Sequence, residues 1–395
     1  MRLRVLEGSR FTARSADAVL LESTYGGGHI QAGAALAAAL AELDPSLTVE
    51  RIDFFDLVNP VVNGAARFAY IQSVTRAPVL WREFYERTGQ LTPESSWQQF
   101  LYRLGARRLA RFLAQRRPRV VVATHPTPGG VAAQLRRGRQ LDAPVATVIT
   151  DYIVHSQWLH PDVDLYIAGA EAVREALVAR GIRPDRVAVT GIPIHPRFRQ
   201  RVDPFRVRQR LGLSHQPVVL FMAGGYGMVR GMVPACRQLA FAGGSFQLIV
   251  VSGRDALLER RIREVVEGSP RPVRVLGFVR EVHELMSVAD LLISKAGGLT
   301  VTEALAKGLP MVIYRPIPGQ EEGNARFLVS RGAGRVVQSP EELVSEVQRL
   351  LDDPERRRRM AQAAAALGHP RADEEAARAI LALARVPAAA GREPR

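Results

Sequence analysis

SKAGGLTVTEALAKGLPMVIYRPIPGQEEGN, residues 294–324, is the stretch whose reading decides the fold. The apolar run Ala289 to Ile293 precedes it, the pair Gly297-Gly298 interrupts it, and Thr300 and Glu303 follow on a helical pattern. That order predicts a strand, a tight turn and a helix N-terminus, which leaves backbone N–H groups available to an anion. One helical turn on, Glu303 can accept hydrogen bonds from the hydroxyls of a ribose. After a second strand (Pro310 to Tyr314), Gly319-Gln320-Glu321 and Asn324 bring more polar groups to the same spot. A phosphate cradle, a hydroxyl acceptor and a polar loop together predict a nucleotide-sugar site.

Working outward, the same alternation runs through the chain in two halves. Ala18 to Glu22 reads as a buried strand, Gly26-Gly27-Gly28 as a tight turn, and an Ala-rich helix follows from about His29 to Leu43. Further strands are predicted at Val49 to Ile52, Val120 to Ala123, Val145 to Ile149, Leu165 to Ala168 and Val187 to Thr190. The second half gives Pro217 to Met222, Gln247 to Val251, Val273 to Leu276, Leu291 to Ile293, Met311 to Tyr314 and Arg335 to Val337. Helical patterns lie between most of them, as in a doubly wound parallel sheet. Residues 56–117 depart from this, being long and largely helical. The prediction is α/β, with Rossmann-like domains over 1–195 and 216–370, a linker over 196–215, and a C-terminal helix with a disordered tail over 371–395. Open parallel sheets bind ligands beyond the carboxyl ends of their strands, so the two domains are expected to face each other across an interdomain cleft.

A length of 395 residues suits two domains, and 47% hydrophobic with 24% charged residues is ordinary globular composition. No apolar segment is long enough to span a bilayer. The start, MRLRVLEGSRFTARSADA, has no apolar core of a secretory signal, and the single cysteine, Cys236, excludes an internal disulfide framework. These readings predict a cytoplasmic protein. The net charge of +15 is nearly all arginine, since Lys295 and Lys307 are the only lysines. From Arg76 to Arg119 the residues Arg82, Arg87, Arg103, Arg107, Arg108, Arg111, Arg116 and Arg117 interleave with Trp81, Phe84, Tyr85, Trp97, Phe100, Tyr102 and Phe112. Arginine with aromatics suits a membrane–water interface or nucleic acid. It also suits a helical surface whose aromatics are core and whose arginines are solvated.

The other chemistry-bearing residues lie at strand-to-helix turns. In Tyr25-Gly26-Gly27-Gly28-His29 the glycines allow close approach to the backbone. A helix N-terminus there favours the neutral imidazole that a general base needs. In Thr150-Asp151-Tyr152-Ile153-Val154-His155, Asp151 can orient or deprotonate an acceptor hydroxyl and His155 can contact donor phosphate or acceptor. A capping Asp with a satisfied structural His is the alternative. His125 is similar in position and weaker. Gly224 and Gly225 follow the first strand of the second half as another phosphate-approach loop, and Phe278-Val279 follows a strand where backbone groups can pair with a base edge. A buried Phe is the commoner explanation of the latter. No His/Asp/Glu spacing supports a metal site, and there is no G-x-S-x-G elbow.

With these residues in hand, the chain resembles the GT-B glycosyltransferases that make glycolipids, namely the processive diacylglycerol glucosyltransferase and monogalactosyldiacylglycerol synthase family. Four regions carry the resemblance: YGGGHIQAGAAL (25–36), TDYIVHSQW (150–158) with TGIPIHPRF (190–198), VLGFVREVHELM (275–286), and SKAGGLTVTEALAKGLPMVIYRPIPGQEEGNARFLVSRGA (294–333). The related lipid-II-forming transferases share the glycine pair and Thr-x-Glu, but usually have His-Gln where this chain has Gly319-Gln320-Glu321. Ala296 and Arg315 stand where the family commonly has proline and lysine.

The resemblance implies inverting transfer of glucose or galactose from UDP-glucose or UDP-galactose to diacylglycerol, with no cofactor, at the inner face of the cell membrane. It implies an anionic membrane surface as partner and no nucleic acid, and it makes the first domain the acceptor and membrane side. Gly297, Gly298 and Thr300 would hold the diphosphate, with Leu299 at the helix start, Lys295 adding charge, and Glu303 on the ribose. Phe278 and Val279 would meet the uracil, and Gln320, Glu321 and Asn324 the sugar and neighbouring phosphate. His29 is the first choice of base, with Asp151 and His155 as the other catalytic candidates. Transfer to a polyprenyl-linked or other membrane glycan is the alternative reaction. A lipid- or nucleic-acid-binding protein on an inherited fold is the alternative outside enzymes.

Overall fold

The computed structural model describes residues 15–58, 63–64, 83, 87, 96–224 and 229–385. The strands are runs of three to five residues bounded by turns, and the central ones are apolar. They are β1 (Ala18–Glu22), β2 (Val49–Asp53), β3 (Val120–Ala123), β4 (Val145–Val148), β5 (Leu165–Ala168) and β6 (Val187–Val189), then β7 (Val218–Met222), β8 (Gln247–Val251), β9 (Val273–Leu276), β10 (Leu291–Ser294), β11 (Met311–Tyr314) and β12 (Gly334–Val337). All predicted strands are present within a residue or two of their expected bounds.

Each half closes into one six-stranded sheet, ordered β2-β1-β3-β4-β5-β6 in the first and β12-β11-β10-β7-β8-β9 in the second. Every pairing is parallel. Helices cover both faces of the first sheet, which is why its central strands are apolar throughout. Val19, Leu21 and Val121 face one layer with Val131, Leu135 and Phe112. Leu20 and Val122 face the other with Leu36, Leu40 and Ile380. In the second sheet Phe221, Val250 and Val312 pack on Cys236, Ile262 and Val347. Burying a large aliphatic side chain contributes about 1.5–3 kcal/mol, so these layers fix the sheets.

Strand order places the functional turns. In the first sheet the order reverses direction between β1 and β3; in the second it reverses between β7 and β10. At such a switch point neighbouring strands send their connections to opposite faces, which opens a crevice at their carboxyl ends. His29 follows β1 and His125 follows β3; Gly224 follows β7 and Lys295 follows β10.

The chain divides into one unit of residues 1–196 with 371–395 and another of residues 197–370. The helix Ala372–Arg385, expected as a terminal appendage, belongs to the first unit, where Ala376, Ala377 and Ile380 are buried against Leu36, Ala37 and Leu40. Its amphipathic stripe explains this, because an exposed apolar face is covered wherever a partner helix offers one. Residues 196–215, expected as a linker, include the helix Pro204–Arg210 and group almost entirely with the second unit. Asp203 caps that helix by accepting from the N–H groups of Phe205 and Arg206.

Of the Arg/aromatic segment, the described part divides between the readings. Phe112 is core, and Arg116 pairs with Glu50 at 2.5 Å while lying over the Phe112 ring. Arg87 pairs with Glu83 one turn away, whereas Arg107, Arg111 and Arg117 are exposed. Trp81, Arg82, Phe84 and Tyr85 lie outside the described residues, as do the side chains of Trp97, Phe100, Tyr102 and Arg103. The N-terminal residues 1–14 and the tail 386–395 also lie outside them. No described helix is long and apolar enough to cross a membrane.

Candidate active site

In the first unit the turn after β1 runs into the helix Gly27–Leu43, with Gly26 as N-cap. Asp53, at the end of β2, braces the turn by accepting from the N–H of Thr24 (2.9 Å) and of Phe55 (2.8 Å). His29 sits in the first turn of the helix, half-buried. Its Nδ1 lies 2.5 Å from the carbonyl oxygen of Thr124 and 3.1 Å from Thr150 Oγ1. A carbonyl only accepts, so Nδ1 carries the proton and Nε2 presents its lone pair. Burial pulls the His29 pKa down to about 4, and the Thr124 hydrogen bond offsets only part of that. The imidazole is therefore neutral at ordinary pH, and burial is what lowers its pKa.

His125 packs edge-on against His29, with ring centroids 4.7 Å apart. It caps the helix Pro126–Arg137, its Nδ1 accepting from the N–H of Thr127 at 3.2 Å. Burial, with His29 beside it, holds its pKa well below the usual range. Asp151 and His155 follow β4, both half-buried. His155 caps the short turn Ser156–Trp158 through Nδ1, accepting from the N–H of Gln157 at 3.3 Å. Trp158 is buried and its ring lies 6.3 Å from that of His29.

In the second unit Gly297 caps the helix Gly298–Ala306 without any side-chain hydrogen bond. The N–H groups of Gly298, Leu299 and Thr300 bond to no described residue, and free N–H groups at a helix start are open to an anion. Asn324 braces this turn from the next helix, donating to the Ala296 carbonyl at 3.0 Å. Lys295 reaches the same place, and a Cβ added to Gly224, whose φ is +76°, would lie 3.4 Å from Lys295 Cε. Gly225 lies outside the described residues. Lys295 Nζ donates to Glu321 Oε1 at 2.6 Å, and the other oxygen of Glu321 accepts from the N–H of Ile317 at 2.8 Å. Here Glu321 holds Lys295 and the 315–319 loop in place. Gln320 Oε1 is buried and makes no hydrogen bond among the described residues, which leaves an acceptor for a hydroxyl donor.

Glu303 is half-buried, and its carboxylate has no hydrogen-bond partner among the described residues. Burial raises its pKa to about 8, since desolvation disfavours the charged carboxylate. Phe278 is 49% exposed, which overturns the reading of a buried ring. Arg254 lies 4.5 Å over its ring, and at the preceding residue, Gly277, a Cβ would come within 2.6 Å of Glu259 Oε2. The backbone N–H and C=O groups of Phe278 and Val279 bond to no described residue, as a base-pairing edge requires.

Comparison with known proteins agrees with both halves. A family model described as monogalactosyldiacylglycerol (MGDG) synthase matches residues 29–194, and the glycosyltransferase family 28 C-terminal domain matches residues 218–376. A processive diacylglycerol beta-glucosyltransferase of Bacillus pumilus is 31% identical over 87% of this chain and 89% of its own length. The Bacillus subtilis protein of the same name is 30% identical over 87% and 88%. This chain belongs to the diacylglycerol glycosyltransferase family. Among solved structures the S. aureus MnaA–UDP co-structure superposes with a TM-score of 0.61 at 16% identity, over 90% of this chain and 93% of that one. Acinetobacter baumannii MurG gives 0.59 at 15% identity, over 93% and 99%. At those identities the likeness concerns the fold, and it supports the GT-B class read from the sequence.

Several residues that build this diacylglycerol glycosyltransferase site escape a reading of motifs. Beneath the first turn, Arg51 of β2 donates to both oxygens of Glu22 (2.5 and 2.9 Å) and to the Ile30 carbonyl (3.0 Å). Burial pushes the Glu22 carboxyl upward, and Arg51 opposes the shift. Gly33 makes room for this pair, since a Cβ there would come within 2.1 Å of Glu22 Oε1. The available signal was a carboxylate ending an otherwise apolar strand. Asp53 gave no comparable signal.

Proposed function

We propose that this protein transfers a hexose from a UDP-sugar to the free hydroxyl of diacylglycerol, with inversion, at the cytoplasmic face of a membrane. The observation that carries the reading is His29, a neutral imidazole with Nδ1–H fixed by Thr124 and Nε2 presented, in a chain belonging to the diacylglycerol glycosyltransferase family. Nε2 takes the proton of the lipid hydroxyl as its oxygen bonds to the anomeric carbon and the bond from that carbon to UDP breaks. The charge that develops on the diphosphate is met by the N-terminus of the Gly298–Ala306 helix and by Lys295, a preorganised donor set that acts without reorganisation. That set supports transfer without a resident metal, and turnover that survives EDTA is the expected result. Glu303 accepts from the ribose, Phe278 and Val279 meet the base, and Gln320 and Asn324 border the sugar. Asp151 and His155 serve to shape the acceptor side.

Exposed Arg107, Arg111 and Arg117 support attraction to an anionic lipid surface, where each cation contributes about 1 kcal/mol. Salt-reversible sedimentation with anionic but not neutral vesicles checks this. The decisive experiment offers labelled UDP-glucose or UDP-galactose with diacylglycerol vesicles and resolves the lipid products. A labelled glycolipid from one of the two donors is expected. Its absence with both, while a polyprenyl-linked or other glycan becomes labelled, overturns the reading.

A further inference from the structure

His29 and His125 are locked in opposite tautomers by independent partners. His29 Nδ1 faces the carbonyl of Thr124, so its proton is on Nδ1 and its Nε2 is an acceptor. His125 Nδ1 receives the N–H of Thr127, so in the neutral ring its proton is on Nε2, which is a donor. Both Nε2 atoms are without a hydrogen bond among the described residues, and the two rings meet edge-on at 4.7 Å. They follow β1 and β3, the two strands that flank the switch point of the first sheet. Phe55 packs on His125 and Tyr25 on Phe55, so the pair stands among aromatic rings.

An acceptor on one ring and a donor on the ring packed against it match one chemical group, an alcohol, which donates its proton and accepts at its oxygen. We propose that His125 is a second acceptor-site residue: its Nε2–H donates to the oxygen of the same lipid hydroxyl whose proton His29 Nε2 removes. This rests on the transfer reaction proposed above. One lone pair of the oxygen accepts from His125 and the other attacks the anomeric carbon. The O–H bond breaks to His29, the new C–O bond forms, and the electron pair of the old C–O bond leaves with UDP. His29 then returns its proton to solvent. His125 therefore selects a free hydroxyl and aligns it, and its contribution falls on acceptor binding more than on turnover.

The test uses His125→Asn in the full chain. Asparagine retains the helix cap, since its side-chain oxygen accepts from the Thr127 N–H, but it has nothing in place of Nε2–H. The expected result is a KM for diacylglycerol raised about ten-fold, the scale of one lost hydrogen bond, with kcat changed less and UDP-induced thermal stabilisation unchanged. A 1,2-diacyl propanediol, which lacks the hydroxyl, is expected to inhibit wild type and His125→Asn equally. A His125→Asn enzyme with wild-type KM for diacylglycerol overturns the proposal and leaves His125 as a helix cap. Weaker inhibition of the variant by the propanediol lipid also overturns it, because the loss would then lie in lipid packing. A wild-type enzyme inactive on diacylglycerol overturns the transfer reading itself, a different result from either.

Discussion

The turn after β1 and the turn after β10 are built alike and finish differently. Both are glycine turns at a switch point, and both are braced by a side chain from a neighbouring element, Asp53 on Thr24 N–H in one and Asn324 on the Ala296 carbonyl in the other. The first then presents a side chain, the His29 imidazole fixed by Thr124. The second presents bare backbone, the N–H groups that open the Gly298–Ala306 helix. The lesson is that one local architecture presents either a side chain or bare backbone N–H groups according to which residue follows the glycines.

The comparison breaks most readily at its chemical end. His29→Ala is expected to lower kcat by about 10²–10⁴-fold, the usual contribution of a positioned general base, while UDP still raises the melting temperature. Retained turnover would remove the first turn from the chemistry. Because the His29 pKa lies near 4, the base is neutral throughout the ordinary range. The acid limb of kcat is expected near pH 4, well below the 6.5 of a free imidazole, and a limb at 6.5 would assign the base elsewhere.

Next in size is the donor half. Glu303→Ala is expected to weaken UDP binding roughly 10- to 100-fold, in line with hydrogen bonds to a charged group. Titration adds a sharper check. In the free protein the carboxyl keeps its proton up to about pH 8, whereas ribose hydroxyls donate best to the carboxylate. Binding below pH 8 therefore expels a proton, so affinity rises with pH and levels off above 8. Calorimetry of Glu303→Gln should retain only the slope that belongs to UDP itself; a slope equal to wild type would detach Glu303 from the nucleotide.

Two smaller effects probe the braces. Gly33→Ala drives a methyl into the Glu22–Arg51 pair and is expected to cost about 1–3 kcal/mol, as overpacking does, read as a lower melting temperature. Asn324→Ala removes the buried hydrogen bond to the Ala296 carbonyl, a bond of a kind worth about 1 kcal/mol. It should weaken UDP binding several-fold with little change in the KM for lipid. An equal effect on both substrates would show that the brace serves the whole fold and not the turn.

Most of the architecture could be read from the sequence because the central strands, such as β1, β3, β7 and β10, are apolar runs buried on both faces, and the turns after β1 and β10 are marked by glycine. The glycine pair at 297–298 and the helix start that carries His29 were legible because a tight turn is built from consecutive residues, whereas the Thr124 and Thr150 partners of His29 lie about a hundred residues away. What could not be read depends on distant partners. The sequence marks Glu321 as polar and near the turn, but not that Lys295 lies against it. Phe278 looks like core, yet it is exposed with Arg254 over its ring. The amphipathic pattern of Ala372–Arg385 predicts a helix but not that Leu36 and Leu40 lie under it.

That last helix sets the order in which the protein can be made. The second unit is one continuous segment, 197–370, whereas the first needs residues from both ends of the chain. On the ribosome the second unit can complete its sheet as soon as it emerges. The first, although synthesised earlier, waits with Leu36, Ala37 and Leu40 uncovered until Ala376, Ala377 and Ile380 arrive. Exposed apolar surface on a nascent chain is a liability for aggregation. Loss of the last two dozen residues would therefore be felt first in the yield of soluble protein, at the half of the molecule translated first.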